Sequence, residues 1–123
     1  MGRGERLHHP NSPRLTALVD RIFAALADPN RRRAVELLVE RPRRAGELAS
    51  ALDLSPPTLS RHLRIMKQSG LIEESQPEFD ARVRIYRLKD GALAELQQWV
   101  AATEAMWATQ LLAFKAHVEA ADR

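Results

Sequence analysis

Residues 45–72 read AGELASALDLSPPTLSRHLRIMKQSGLI, and this stretch decides the fold. Leu48 and Leu52 stand at i and i+4, so 45–52 is expected as a short helix with one apolar side. Asp53-Leu54 is turn material. Ser55-Pro56 is a helix start, because a serine oxygen can cap free amides and proline suits the first helical position, where its missing N–H has no intrahelical partner. The helix that follows ends at Ser69-Gly70, where glycine suits a left-handed cap. Within it Leu59, Leu63 and Met66 fall on one side, while Ser60, Arg61, Arg64, Lys67 and Gln68 cluster opposite. Two short helices joined by a tight turn form a helix-turn-helix, whose second helix lies in the DNA major groove. The apolar set is expected to pack on the preceding helices and the polar set to face nucleic acid. A solvated basic face gives the same pattern on an isolated helix. The short helix before it and the basic hairpin after it favour nucleic acid.

Upstream, Ser12-Pro13 and Asp28-Pro29 repeat the same start signal. They predict a helix over 13–27, with Leu15, Leu18, Val19, Ile22, Phe23 and Leu26 at helical spacing. A second is predicted from Pro29 to about Glu40, with Val35, Leu38 and Val39 inward, stopped by Arg41-Pro42. Downstream the period changes. Leu71-Ile72 opens a short strand, Pro77 to Ala81 is turn material, and Arg82 to Leu88 is β-branched, partly alternating and basic. That is a β-hairpin over 71–88, with Arg82, Arg84 and Arg87 along one side of its second strand, suited to phosphate or minor-groove contact. Glu78 and Asp80 near its tip would be repelled by phosphates, so contact is expected along the strand. The competing view is an ordinary solvated hairpin.

From Asp90 a long helix runs to about Ala120. Leu93, Leu96, Val100, Thr103, Trp107, Leu111, Phe114 and Val118 recur along it at three- and four-residue spacing. So much apolar surface exceeds what a domain this small can cover. It is expected to pair with its own copy, with Leu15, Leu18, Val19 and Ile22 of the first helix contributing, which places two recognition helices about a two-fold axis. The alternative is a helix folded back over its own domain. The expected fold class is therefore mainly α with a small β-hairpin: a winged helix-turn-helix with a long terminal dimerisation helix. Residues 1–12 are expected to form a short flexible arm, and 13–123 one domain.

The chain has 123 residues and a net charge of only +3, but the charge is uneven. Residues 1–30 carry four Arg against three acids; 31–89 carry thirteen Lys or Arg against eight Asp or Glu; 90–123 carry two against five. A basic middle and an acidic tail point to a polyanion for the middle alone. An arginine-rich composition inherited from a GC-rich genome would also give many basic residues. No apolar run approaches a membrane span, the N-terminus lacks the apolar stretch of a signal peptide, and a cytoplasmic location is expected. The sequence holds no cysteine, which excludes disulfides and thiolate metal sites.

LADPNRRRAVELL (26–38), GELASALDLSPPTLSRHLRIMKQSGLI (46–72) and RVRIYRL (82–88) resemble the ArsR/SmtB winged-helix regulators in order and separation. The resemblance covers roughly residues 15–118 and implies a dimeric repressor that leaves its operator when an inducer binds. It also allows a phosphate contact from His62, although periodicity sets that residue nearer the buried side, where a hydrogen-bonded structural role is favoured.

The sequence departs from that family in two places. Many members bind metal through third-helix cysteines in a pattern like ELCVCDL, whereas this chain has Ala49 and Ala51 at the thiolate positions. Others bind zinc between the last helices through Asp-x-His and His-x-x-Glu; here His117 is followed by Val118, Glu119 and Ala120. The chain resembles the metal-independent branch, no cofactor is expected, and the family's usual inducer is not carried over. His8 and His9, adjacent in the arm, do not make a closed site. The second departure is Pro56-Pro57, where the family often has Gln and Ser. Prolines there leave the helix intact but cannot donate to DNA, so reading is expected to fall on Thr58, Ser60 and Arg61. A proline ring or the Thr58 methyl could instead touch a thymine methyl.

The expected DNA-contacting set is Ser55, Pro56, Pro57, Thr58, Ser60, Arg61, His62, Arg64, Lys67, Arg82 and Arg84. The expected dimer set is Leu15, Leu18, Val19, Ile22, Leu93, Leu96, Val100, Trp107, Leu111 and Phe114. A winged helix using its basic face for RNA or a protein partner is the other reading, separated by preference for a short palindromic duplex. No paired acids, glycine-rich phosphate loop or Ser/His/Asp arrangement suggests an enzyme.

Overall fold

The computed structural model describes residues 13–77, 79–80 and 82–122, with side chains from Ala17 onward. The expected arm at 1–12, with His8 and His9, lies outside the described residues, as do Glu78 and the side chain of Leu15. The elements run α1 (Pro13–Leu26), α2 (Pro29–Glu40), β1 (Arg43–Arg44), α3 (Ala45–Leu52), α4 (Pro56–Gln68), β2 (Ile72–Ser75), β3 (Ile85–Leu88) and α5 (Ala92–Ala121).

The helix boundaries follow from local chemistry. Asp28 caps α2 by accepting from the amides of Asn30 at 2.8 Å and Arg31 at 3.3 Å. Burial would raise the Asp28 carboxyl, but the Asn30 and Arg31 amides, together with nearby positive charge, outweigh it and hold the group below its usual range. α3 is closed by Asp53 at φ 54°, a left-handed residue that turns the chain into Leu54 and the Ser55 cap. At the end of α4 the amide of Gly70 reaches the Lys67 carbonyl at 3.1 Å and that of Leu71 reaches Met66 at 3.0 Å. This is a Schellman closure, and Gly70 at φ +84° supplies its left-handed residue. Met66 and Leu71, the apolar pair of that motif, are both fully buried.

Leu48, Leu52, Leu59, Leu63 and Met66 join Ala34, Val35 and Leu38 of α2, Ile22 and Ala25 of α1, and Leu71, Ile72 and Tyr86 of the sheet in one core. The expected inward side of α4 is therefore realised. Val39 is not inward as expected: it is 60% exposed, because the buried stripe of α2 closes on Ala34, Val35 and Leu38.

The sheet differs from a simple hairpin. It has three strands in the order β1-β3-β2, all antiparallel. Arg43 pairs with Tyr86 and Arg44 with Ile85, so two arginines become an edge strand through pairing alone. On the other side Ile72 faces Leu88, Glu73 faces Arg87 and Glu74 faces Tyr86. The second wing strand starts at Ile85 rather than Arg82, so Arg82 and Arg84 lie before the ladder. Glu73 and Glu74 are consecutive, so their partners Arg87 and Tyr86 point to opposite faces. Arg84, which reaches Glu74, and Arg87, which reaches Glu73, therefore do not line one side as expected.

α5 lies against α1 at its start, where Leu93 and Leu96 pack on the core and Phe23 meets Trp99 edge-on, centroids 5.4 Å apart. Beyond Thr103 it leaves the domain: every residue from Glu104 to Asp122 is exposed, and the helix does not fold back.

Candidate nucleic-acid interface

The surface of α4 is built by its caps and its core. Ser55 Oγ accepts from the Thr58 amide at 3.4 Å and donates to Thr58 Oγ1 at 2.9 Å. The Thr58 oxygen is thereby engaged as an acceptor, which leaves its own proton to donate outward. Pro56 and Pro57 follow the cap and are exposed. Because Leu59, Leu63 and Met66 are buried, helical geometry turns Ser60, Arg61 and Arg64 to solvent. Pro57, Thr58, Arg61 and Arg64 line one shallow depression. Among the described residues neither Arg61 nor Arg64 has a carboxylate partner, and both guanidiniums remain available for an anion or a base edge.

His62 is half-buried beside this face. Its Nδ1 lies 3.1 Å from an Arg31 guanidinium nitrogen, and Arg31 Nε donates to the Ala25 carbonyl at 2.6 Å. A guanidinium has no acceptor, so Nδ1 accepts and the ring proton sits on Nε2. The structural role favoured from periodicity is thus present, and the tautomer that comes with it is a donor at the far side of the ring. Arg31 escaped the sequence reading because it sits in a run of three arginines, where a solvated charge is the ordinary inference. Its partner is 31 positions away.

The other expected cations keep different company. Lys67 Nζ is bonded to Glu74 Oε1, and Arg84 donates to Glu74 Oε2 at 3.1 Å. One carboxylate on β2 therefore holds a cation of α4 and a cation of the wing. The Lys67 ammonium bonded to it draws the Glu74 carboxyl below its ordinary value; burial opposes this and Arg84 adds to it. Burial and the same carboxylate push the Tyr86 phenol upward. Arg82, almost fully exposed, reaches Asp80 at 3.5 Å, and Arg87 Nε reaches Glu73 at 2.6 Å on the opposite face. Phe79, at the turn, is 85% exposed. Glu74 was not anticipated, since Ile72-Glu73-Glu74-Ser75 reads as an ordinary strand and nothing local announces either partner.

The expected dimer residues divide into two groups. Val19 and Ile22 are buried inside this chain and Leu18 is half-covered, while Leu93 and Leu96 pack on the core. Val100, Trp107, Leu111 and Phe114 are exposed, at 39, 58, 61 and 66%. Met106, Leu112 and Val118 are exposed alongside them. No described helix is long and apolar enough to cross a membrane.

A capped helix anchored by a turn-linked neighbour, with a winged sheet beside it and a free basic face, defines a winged helix-turn-helix regulator. The model of the bacterial regulatory protein, arsR family, matches residues 28–74, from the cap of α2 to Glu74 on β2. The HTH-type transcriptional regulator Rv2034 of Mycobacterium tuberculosis is 38% identical over 78 residues, 63% of this chain and 70% of the relative. Transcriptional repressor SdpR of Bacillus subtilis is 36% identical over 56 residues, 46% of this chain and 62% of the relative. An ArsR-like transcriptional regulator from Rhodococcus sp. RHA1, 25% identical, superposes with a TM-score of 0.76 over 89% of this chain and 98% of its own. The chain belongs to the ArsR family of bacterial regulatory proteins: it is a transcriptional regulator and not an enzyme.

Proposed function

We propose that the chain is a sequence-specific DNA-binding repressor that grips a palindromic operator as a homodimer and is not gated by a metal. The observation that carries this is the exposed Arg61 and Arg64 pair, free of carboxylates among the described residues, on a helix fixed by three buried side chains. Thr58, Ser60 and Arg61 read bases near the helix tip, where Pro56 and Pro57 supply shape but no donor. A guanidinium can address guanine O6 and N7 together. His62 Nε2–H, Arg64 and the wing hold phosphates. The similarity to a transcriptional repressor supports repression. Two copies joined through Val100, Trp107, Leu111 and Phe114 would present the two faces about a two-fold axis. Ala49 and Ala51 stand where resemblance would put thiolates, which supports a regulator that works without a bound metal.

Selection of bound duplexes from random DNA tests this. The expected product is a short palindrome, retained when zinc is added at one equivalent. Recovery of no preferred duplex, together with preferential retention of RNA or of a protein, would replace the reading with that of an interaction module.

A further inference from the structure

We infer that Glu74 is an affinity-setting residue, a carboxylate that holds Lys67 of α4 and Arg84 of the wing and so restrains sequence-independent attraction to DNA. The inference rests on the DNA-binding reading above. Each carboxylate oxygen serves a different cation, Oε1 for Lys67 and Oε2 for Arg84, and the two cations come from different elements. The three groups form a closed cluster at the junction of the helix and the wing, where α4 meets β2. Glu74 is half-buried there, opposite the buried Tyr86 across the ladder. Its carboxyl is held in the charged form by those same partners.

The consequence follows from how DNA affinity arises. A free surface cation that meets a phosphate releases a condensed counterion, and each such contact steepens the fall of log K with log salt by about 0.9. In the free protein Glu74 already offsets one of the two charges that Lys67 and Arg84 carry. A phosphate can engage them only in exchange for Glu74, or by bringing its own charge beside that carboxylate. Arg61 and Arg64 suffer no such exchange. The surface therefore separates cations free to meet a base edge or a phosphate from cations damped against any polyanion, and Glu74 sets that division. Glu73, one residue earlier, is committed to Arg87 on the other face and cannot substitute.

The experiment compares the full-length chain with E74Q on a random-sequence duplex across a salt series, in the natural background and in a K67A/R84A background. Glutamine keeps the shape and one acceptor but removes the charge. In the natural background E74Q is expected to steepen the salt slope by about one unit and to raise affinity at low salt roughly tenfold. In the background lacking both cations the substitution should change neither. An unchanged slope in the natural background overturns the inference while leaving the DNA reading intact. So does a gain that persists without Lys67 and Arg84, because Glu74 would then act only as a repelling charge. Failure of every variant to bind any duplex overturns the DNA reading and this inference together. A matched melting transition for E74Q keeps a folding defect from imitating either result.

Discussion

Arg61 and Arg84 are both exposed arginines, but their surroundings separate their roles. Arg61 has no carboxylate partner among the described residues and lines the depression with Pro57, Thr58 and Arg64. Arg84 is bonded to Glu74. A free guanidinium near the helix tip can make a bidentate contact to one base, so Arg61→Ala is expected to cost about 1–3 kcal/mol on the selected duplex and to relax preference at one base pair per half-site. Arg84→Ala should weaken selected and random DNA alike, and by less than a full phosphate contact because Glu74 already occupies the side chain. Binding isotherms for both variants on both duplexes check this. Equal weakening by Arg61→Ala on the two DNAs would make it a phosphate contact and leave reading to Thr58, Ser60 or DNA shape.

Among the elements, α2 shows how a cap sets both a helix start and a pH response. The Asp28 carboxyl lies below its unfolded value of 3.8, so the native state binds fewer protons than the unfolded state just below that pH. Its contribution to stability is present above the unfolded value and is lost as pH falls through the lower folded one. Asp28→Ala is expected to cost about 1 kcal/mol at neutral pH. Asp28→Asn should keep much of the cap but reduce the loss of melting temperature between about pH 6 and about pH 3. Thermal melts at the two pH values decide it, and an undiminished acid loss in Asp28→Asn would assign the pH response to Glu47 and Glu74, which are shifted the same way.

Legibility at this scale was uneven for physical reasons. Cap-plus-proline signals at Asp28-Pro29 and Ser55-Pro56 are local, and the helices they announce start there. The apolar period of α4 likewise translates directly into burial. β1 is a different matter, since Arg43-Arg44 has no strand pattern and becomes a strand only because Tyr86 and Ile85 lie beside it. The early start assigned to the second wing strand came from reading β-branched character where the ladder had no partner. Arg31 with His62 and Glu74 with Lys67 and Arg84 are bonds between elements, invisible until the elements are placed.

For the whole molecule, α5 is the feature that a single chain leaves unexplained. Its 30 residues span about 45 Å, and its distal half carries Trp107, Leu111, Leu112 and Phe114 in the open. Exposed apolar surface of this extent marks an interaction site rather than a stable free face. Sedimentation at micromolar concentration is expected to give twice the chain mass, and Trp107→Glu to return it to one while α4 stays folded. A wild-type mass of one chain independent of concentration would overturn the dimer. The acidic balance after residue 90 suits this division of labour, because it directs DNA to the basic middle of the chain.

The two prolines at the tip of α4 also bear on how the molecule meets its target in time. Their rings restrict φ before any encounter, and the Ser55 cap secures the first turn behind them. The leading edge of the recognition helix therefore loses little chain entropy on docking, since its backbone is ordered in advance. On the proposed DNA-binding reading, association at this tip would be a rigid-body event without a folding step.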